Sequence, residues 1–300
     1  MNTILSQLFY TYEPLFFLYE KNFEIIRFKS YFIGVNESSR KEGSPFDAHT
    51  TEVEPEATPA QLSALSPIFP NYLDRRHAVA LPGHVIVLDL FQLKIIHSKK
   101  PGDSFKAMIT VDLATAEIIA HAVFRIPKAL KGEVPAHKLI VFLQDAFKKR
   151  TFCQDFIIHT DRGTQFTSHE WFTFVKQLGA IGSMSDFATP KDNAVAERTI
   201  RTIKNQLLKC HAHWPAKVKS LRQIQLVFYQ RVAYYNNEFR PKRACGATPV
   251  EFRPALNALE HLAPSRVIAH SNHDVNHKAV TDFKQQAAQS LLLLYASNYT

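Results

Sequence analysis

The sequence predicts a mixed α/β fold, one sheet flanked by helices, on three observations. A nearly continuous apolar run from His84 to Leu90, entered from Gly83, suits a strand buried in the middle of a sheet. Two more strand-like runs follow, Phe105 to Leu113 and Ile118 to Ile126, and the strong turn Lys100-Pro101-Gly102-Asp103 precedes the first of them. After Pro127 the apolar period lengthens to that of a helix and alternates with short apolar strands. Three consecutive strands on tight turns make an antiparallel meander, and helix-strand alternation adds parallel strands to it.

Along the chain, residues 1–35 form an aromatic-rich segment, with Leu8-Phe9-Tyr10 and Leu15-Phe16-Phe17-Leu18-Tyr19. Glu13, Glu20, Lys21 and Glu24 interrupt it, so no apolar run nears the roughly 18 to 20 residues that span a bilayer. Residues 36–80 read as a linker rich in Pro, Ser and Glu, without sustained periodicity. Residues 81–256 carry the predicted core. Leu139, Phe142, Leu143 and Ala146 share one helical face, and Phe156-Ile157-Ile158 is a short strand leading into His159-Thr160-Asp161. Trp171 to Leu178 is a further helix and Ala180 to Met184 a strand. A long helix is expected from Lys191 to about His211, opened by Thr189-Pro190-Lys191-Asp192 with a capping hydroxyl and a first-turn proline. Another spans Ser220 to Asn237, and residues 257–300 are an extension with a terminal helix from Phe283 to Tyr295.

The net charge of +9 comes from 36 Lys+Arg against 27 Asp+Glu, and its placement is informative. Between Phe187 and Pro254 stand 13 basic and 4 acidic residues (13 − 4 = +9), so the rest of the chain is neutral. A basic segment on a neutral body is the footprint of a polyanion partner, DNA above all, although a solvated charged face has the same composition. Three cysteines, Cys153, Cys210 and Cys245, without CxxC or zinc spacing, indicate neither a disulfide framework nor a zinc module. A reducing, cytoplasmic setting is expected.

Asp89 lies inside an apolar strand, Asp161 directly follows another, and Glu197 falls in the first turns of the long helix. Burying a lone carboxylate is costly, so three acids at such positions are best explained by a shared cation. Helical geometry puts Ala196, Ile200, Ile203 and Leu207 on a core-facing stripe, and Glu197, Arg201 and Lys204 on a second stripe at the core's border. From there Glu197 can reach a metal on the sheet while Arg201 and Lys204 continue toward a phosphate backbone. An i, i+4 Glu–Arg pair on a solvated face is the plainer alternative.

These residues stand in a recognisable series. His159-Thr160-Asp161-Arg162-Gly163-Thr164-Gln165-Phe166-Thr167-Ser168 is followed by Ser183-Met184-Ser185, then by Lys191-Asp192-Asn193-Ala194-Val195-Ala196-Glu197-Arg198, then by Tyr234-Tyr235-Asn236, Arg240-Pro241 and Ala247-Thr248-Pro249. The series resembles the integrase core of insertion-sequence transposases, relatives of the retroviral integrases, over roughly Pro82 to Phe252. Thirty-five residues separate Asp161 from Glu197 (196 − 161), the spacing of that family. Lys242 and Cys245 depart from the histidine and leucine common there.

The resemblance implies a ribonuclease H-like fold in which Asp89, Asp161 and Glu197 hold two Mg²⁺ or Mn²⁺ ions and catalyse DNA end nicking and strand transfer. Asp112 is a rival for the first acid, disfavoured because it falls on a later strand. Asn193, Arg198, Arg201 and Lys204 are the candidate DNA contacts. His159 reads as a strand-end packing residue, Gly163 as part of a tight turn, and Tyr234, Tyr235 and Asn236 as packing and capping residues. Expected partners are the element's ends and target DNA, a second copy of the chain in a synaptic complex, and a separate end-recognition chain, because the first 70 residues do not read as a helix-turn-helix. The alternatives are a catalytically inactive DNA-binding relic and a ribonuclease H-like nuclease.

Overall fold

The computed structural model describes residues 67–93, 104–187, 189–208, 220–265, 268–269 and 275–297. The aromatic-rich segment, most of the linker and the Lys100–Asp103 turn lie outside them.

Alternating apolar residues shape the central sheet. Strands β2 (Val85–Leu93), β3 (Ser104–Asp112) and β4 (Ile118–Ile126) form the expected antiparallel meander, with Leu93 opposite Phe105 and Ser104 opposite Ile126. Strand β5 (Ile157–Thr160) joins the other side of β2 in parallel, and β6 (Ile181–Met184) joins β5 in parallel. The resulting order, β4-β3-β2-β5-β6, with one antiparallel strand among the last four, is the ribonuclease H-like arrangement. A separate short pair is made by β1 (Ala78–Val79) and β7 (Ile268–Ala269).

The pleat of β2 feeds two hydrophobic cores, since successive side chains point to opposite faces. Ile86 and Leu88 pack with Leu139 and Leu143 of α1 (Ala136–Phe147) and with Trp171 and Phe174 of α2 (His169–Gln177). Val85 and Val87 pack with Ala196 and Ile200 of α3 (Ala194–Thr202) and with Ile224 and Phe228 of α4 (Leu221–Asn237). Phe252 and Leu256 of α5 (Pro249–Ala258) and Val280 and Phe283 of α6 (Val275–Ser297) belong to that second core. The terminal helix therefore starts eight residues before the expected Phe283. Helices α4 and α5 each open on a complete capping box, Ser220 with Gln223 and Thr248 with Glu251.

The long helix expected from Lys191 begins later and is not uniform. Pro190–Asn193 is a 3-10 turn, α3 starts at Ala194, and Ile203–Leu208 is a π-helical turn. Thr189 makes no side-chain cap. Asp192 does not serve the helix either: its carboxylate accepts from Asn71 Nδ2 (2.9 Å), Arg75 Nε (3.1 Å) and Asp186 N (3.0 Å). The expected stripe holds for Ala196, Ile200 and Ile203, all buried. The wider π turn then brings Leu208 into the core, five residues after Ile203. The side chain of Leu207 lies outside those described.

Candidate active site

The parallel register of β2 and β5 decides what stands beside what. Val85 pairs with Ile157 and Val87 with His159, so two residues further along come Asp89, still in β2, and Asp161, just past β5. Neighbouring strands are about 4.8 Å apart, and Asp89 continues the face of Val85 and Val87 that packs under α3. Asp89 is largely buried within β2, and its Oδ1 accepts from Leu90 N at 2.7 Å. Asp161, just past the end of β5, is partly exposed and accepts from Gly163 N at 3.0 Å. That bond closes the turn assigned to Gly163.

Glu197 reaches the same region from above. It is exposed on α3 and, with Asp89, Phe91, Ile200, Arg201, Lys204 and Asn205, lines an open cleft of about 280 Å³. Burial pushes the Asp89 carboxyl up to about 7, with Asp161 and then Glu197 adding to the rise, while the Leu90 amide and Lys204 oppose it. Negative charge is thus crowded at Asp89 without full compensation. Among the described residues no three acid, histidine or cysteine side chains are gathered closely enough to hold a metal ion as they stand. Glu197 makes no ion pair or hydrogen bond with the described residues, so only its helix fixes its position.

Lys204 sits 5.6 Å from the ring centroid of Phe91, at the border between cleft and core. Arg198 and Arg201 are exposed, and Arg198 lies outside the cleft's lining. Asn193 is only 4% exposed, and neither amide atom has a partner among the described residues, a costly state that invites a ligand or a buried water.

Asp112, the rival acid, has a different task. It accepts from Gly83 N (2.7 Å), Ala114 N (2.9 Å), Thr115 N (3.2 Å) and Arg253 Nη2 (3.0 Å). The Gly83 bond depends on a left-handed backbone (φ +78), where an added Cβ would crowd the Thr151 carbonyl oxygen at 3.2 Å. Arg253 also pairs with Glu117, which in turn takes Arg150 at 2.7 Å. Asp112 therefore anchors the β3–β4 turn, with no lone pair left for an ion.

His159 is fully buried between Ser183 Oγ (2.8 Å) and Ser185 Oγ (3.1 Å), and burial lowers its pKa to about 4. It is a neutral packing residue, as expected. Tyr235 stacks on Phe239, their centroids 5.4 Å apart. Asn236 does not cap the helix: its side chain accepts from Ile118 N (3.0 Å) and donates to Ile118 O (2.9 Å), pairing α4 with β4 as another strand's backbone would. The sequence reading missed this clamp, the Asp192 knot and the Arg253 network. For Asp192 alone there was a signal, its place in the Lys191-Asp192-Asn193 motif.

No family model matches the chain. A transposase for insertion sequence element IS904 of Lactococcus lactis is 35% identical over 82 residues, covering 27% of this chain and 31% of that protein. An uncharacterized 31 kDa protein of insertion element IS600 from Shigella sonnei is 28% identical over 194 residues, 64% of this chain and 65% of that one. The putative transposase InsK for IS150 of Escherichia coli is 23% identical over 185 residues, 61% and 59%. The matches span less than two thirds of each relative. Among solved structures, the catalytic core domain of BIV integrase has a TM-score of 0.41 at 18% identity, covering 60% of this chain and 99% of that one. The HTLV-2 integrase catalytic core in complex with magnesium has a TM-score of 0.41 at 19% identity, covering 57% and 95%. The fold assignment rests on strand order and not on those scores. No helix among the described residues is long and apolar enough to cross a membrane. The chain is a homologue of insertion-sequence transposases, built on a ribonuclease H-like sheet.

Proposed function

We propose that this chain is a metal-dependent DNA strand-transfer enzyme that nicks the ends of an insertion sequence and joins them to target DNA. The observation that carries the reading is the crowding of carboxylates: Asp161, just past β5, near Asp89 of the neighbouring strand, and Glu197 with Asp89 in one cleft. The donor set fits hard divalent cations, because Mg²⁺ and Mn²⁺ take carboxylate oxygens. Burial first, and then the charges of Asp161 and Glu197, raise the pKa of Asp89, and a cation would favour the ionised carboxylate against both. Asp89 and Asp161 would hold two such ions, with Glu197 turning in from its helix to complete the set. Ions bound there supply activation of the attacking oxygen and stabilisation of the leaving oxygen in an in-line displacement at a phosphodiester.

The chain's other residues would position the DNA. Arg201 and Lys204 extend from Glu197 along the cleft and supply positive charge for a phosphate backbone. Arg198 adds charge beside them, and Asn193 offers an unsatisfied amide just before the turn that carries Glu197. Synapsis of two ends calls for a second copy of the chain, and end recognition for residues outside this core or a separate chain.

The test is a Mn²⁺-dependent joining assay with the element's terminal DNA, comparing the parent protein with Asp161→Asn and Glu197→Gln. Joining by the parent and none by either variant is the expected result. A variant that joins as fast as the parent overturns the site assignment. DNA binding without cleavage by the parent would identify a DNA-binding relic instead.

A further inference from the structure

The residues that lead into β1 do more than connect. Phe69 stacks on Phe172 of α2 with ring centroids 4.7 Å apart, and its ring fills the space that a Cβ on Gly182 of β6 would need. The Pro70 carbonyl accepts from Met184 N (3.2 Å), and Ser183 Oγ accepts from Leu73 N (3.1 Å). The segment is a strap fixed along β6, the last strand of the sheet. Its polar side chains reach the loop that joins β6 to α3. Asn71 Nδ2 donates to Asp186 Oδ2 (3.1 Å) and Asp192 Oδ2 (2.9 Å), while its Oδ1 accepts from Asp74 N (2.9 Å). Carboxylates only accept, so these neighbours fix which way the amide faces. Arg75 pairs with Asp192 at 3.1 Å and Arg162 with Asp186 at 3.5 Å, and Arg162 Nε also donates to the Ser185 carbonyl at 2.8 Å. Asp74 and Arg75 are both left-handed (φ 39 and 58), a strained pair that persists only where the surroundings over-determine it.

The knot sits where Glu197 is carried. Asp192 lies five residues before Glu197 (197 − 192), in the 3-10 turn that runs into α3, and its side chain is 2% exposed. Neither Thr189 nor Asn193 caps a helix start with its side chain, so the entry of α3 is tied to the fold through the Asp192 carboxylate. That carboxylate also accepts from Asp186 N at 3.0 Å. At the other end of the network Arg162 directly follows Asp161. We propose that Asp192, held by Asn71 and Arg75, is a positioning residue for strand transfer: it sets where α3 begins, and so where Glu197 stands relative to Asp161 and Asp89. The strap then belongs to the catalytic unit and acts through Glu197 rather than on DNA. The inference rests on the proposed function.

The experiment follows single-turnover joining of the element's terminal DNA in Mn²⁺ at limiting and saturating DNA, and amide exchange of the metal-free full chain. The proteins are the parent, Asn71→Ala, Asn71→Asp, Arg75→Ala and Arg75→Lys. Both Ala variants should lower the saturating rate about tenfold to a hundredfold, the range expected for a misplacement of about 1 Å. The DNA concentration for half-maximal rate should not change. Arg75→Lys should recover part of the loss by restoring the charge beside Asp192. Asn71→Asp, of the same size, should be slower than Asn71→Ala, because it sets a third carboxylate against Asp186 and Asp192. Amides of residues 191–197 should exchange faster in the Ala variants while those of β2 and β5 keep the parent's protection. Arg75, with its side chain 57% exposed, keeps the test decisive if an Asn71 variant does not fold. Ala variants with the parent's saturating rate overturn the positioning role alone. So does a raised half-maximal DNA concentration at an unchanged saturating rate, which would make Arg75 a DNA contact, and so does lost protection throughout the sheet, which would make the strap a general support. A parent that joins no DNA overturns the proposed function and the positioning role together.

Discussion

Asp161 stands next to Asp89 because it directly follows β5, which runs parallel to β2 in a register that pairs His159 with Val87. The juxtaposition is set by backbone hydrogen bonds and needs no attraction between the side chains. Two acids brought together this way repel, and burial first, then that repulsion, hold the carboxyl of Asp89 up at about 7. A divalent cation should relieve that repulsion, so Mg²⁺ or Mn²⁺ should stabilise the fold whether or not DNA is present. At ten times its dissociation constant a single ion adds about 1.4 kcal/mol. For a domain of this size the melting temperature should rise by about 3 °C. Thermal melts with and without Mn²⁺ should show the shift in the parent and its loss in Asp89→Asn and Asp161→Asn. An equal shift in either variant would place the ion elsewhere.

Arg253 bridges two almost fully buried acids, Asp112 and Glu117. Arg253→Met would leave Asp112 without its counter-charge in the core, though Glu117 keeps Arg150. Breaking one partner from a buried ionic network costs about 3–5 kcal/mol. Denaturant unfolding should register that loss, and Arg253→Lys should recover only part of it, because an ammonium cannot fork between two carboxylates. A loss under about 1 kcal/mol would mean that the network contributes specificity rather than stability.

Where structure is dictated locally, the sequence displays it. Strand β4 has the expected bounds, Ile118–Ile126, because its apolar content and flanking turn signals are local. The motif words around Asp161 and Glu197 likewise led to residues that the fold brings into one region. What could not be read depends on partners far away in the chain. Helix α3 starts late because Asp192 is taken by Asn71 and Arg75, 121 and 117 residues upstream, so the capping pattern at Thr189 has no acid left to complete it. Asp112 resembles a strand acid awaiting a metal until Arg253, 141 residues on, is seen beside it. Asn236 occupies the end of a helix, where capping is the usual task, yet it pairs with the backbone of Ile118, 118 residues earlier.

Arg201 and Lys204 make a prediction that does not depend on catalysis. If both contact phosphates, replacing both by Gln should lower the slope of log affinity against log salt by about 1.8, two contacts' worth. Lys204→Gln also forfeits the contact with Phe91, worth about 0.5–1 kcal/mol, so its melting point should fall slightly while that of Arg201→Gln does not. An unchanged slope in the double variant would remove both residues from the DNA interface.

Lys284 should give the fold a pH dependence of its own. It is buried in α6, donates from Nζ to the Ala114 carbonyl, and lies 5.4 Å from the centroid of the Phe252 ring. Burial, and then Arg243, lower its pKa from 10.5 to about 7, while Cys245 and Asp112 oppose the drop. Between those two values the unfolded chain keeps the lysine's proton and the folded chain has released it. The unfolded state binds more protons there, so this contribution to stability rises with pH from about 7 and levels off near 10. Lys284→Met keeps the stem against Phe252 and removes the buried charge. At pH 7 the variant should be more stable than the parent by about 2 kcal/mol, the relief of charge burial less the lost bond to Ala114. Near pH 10 the order should reverse, because a neutral lysine still donates that bond and methionine cannot. Paired melts at both values check the crossing, and a difference that stays constant with pH would show that Lys284 is not titrating in this window.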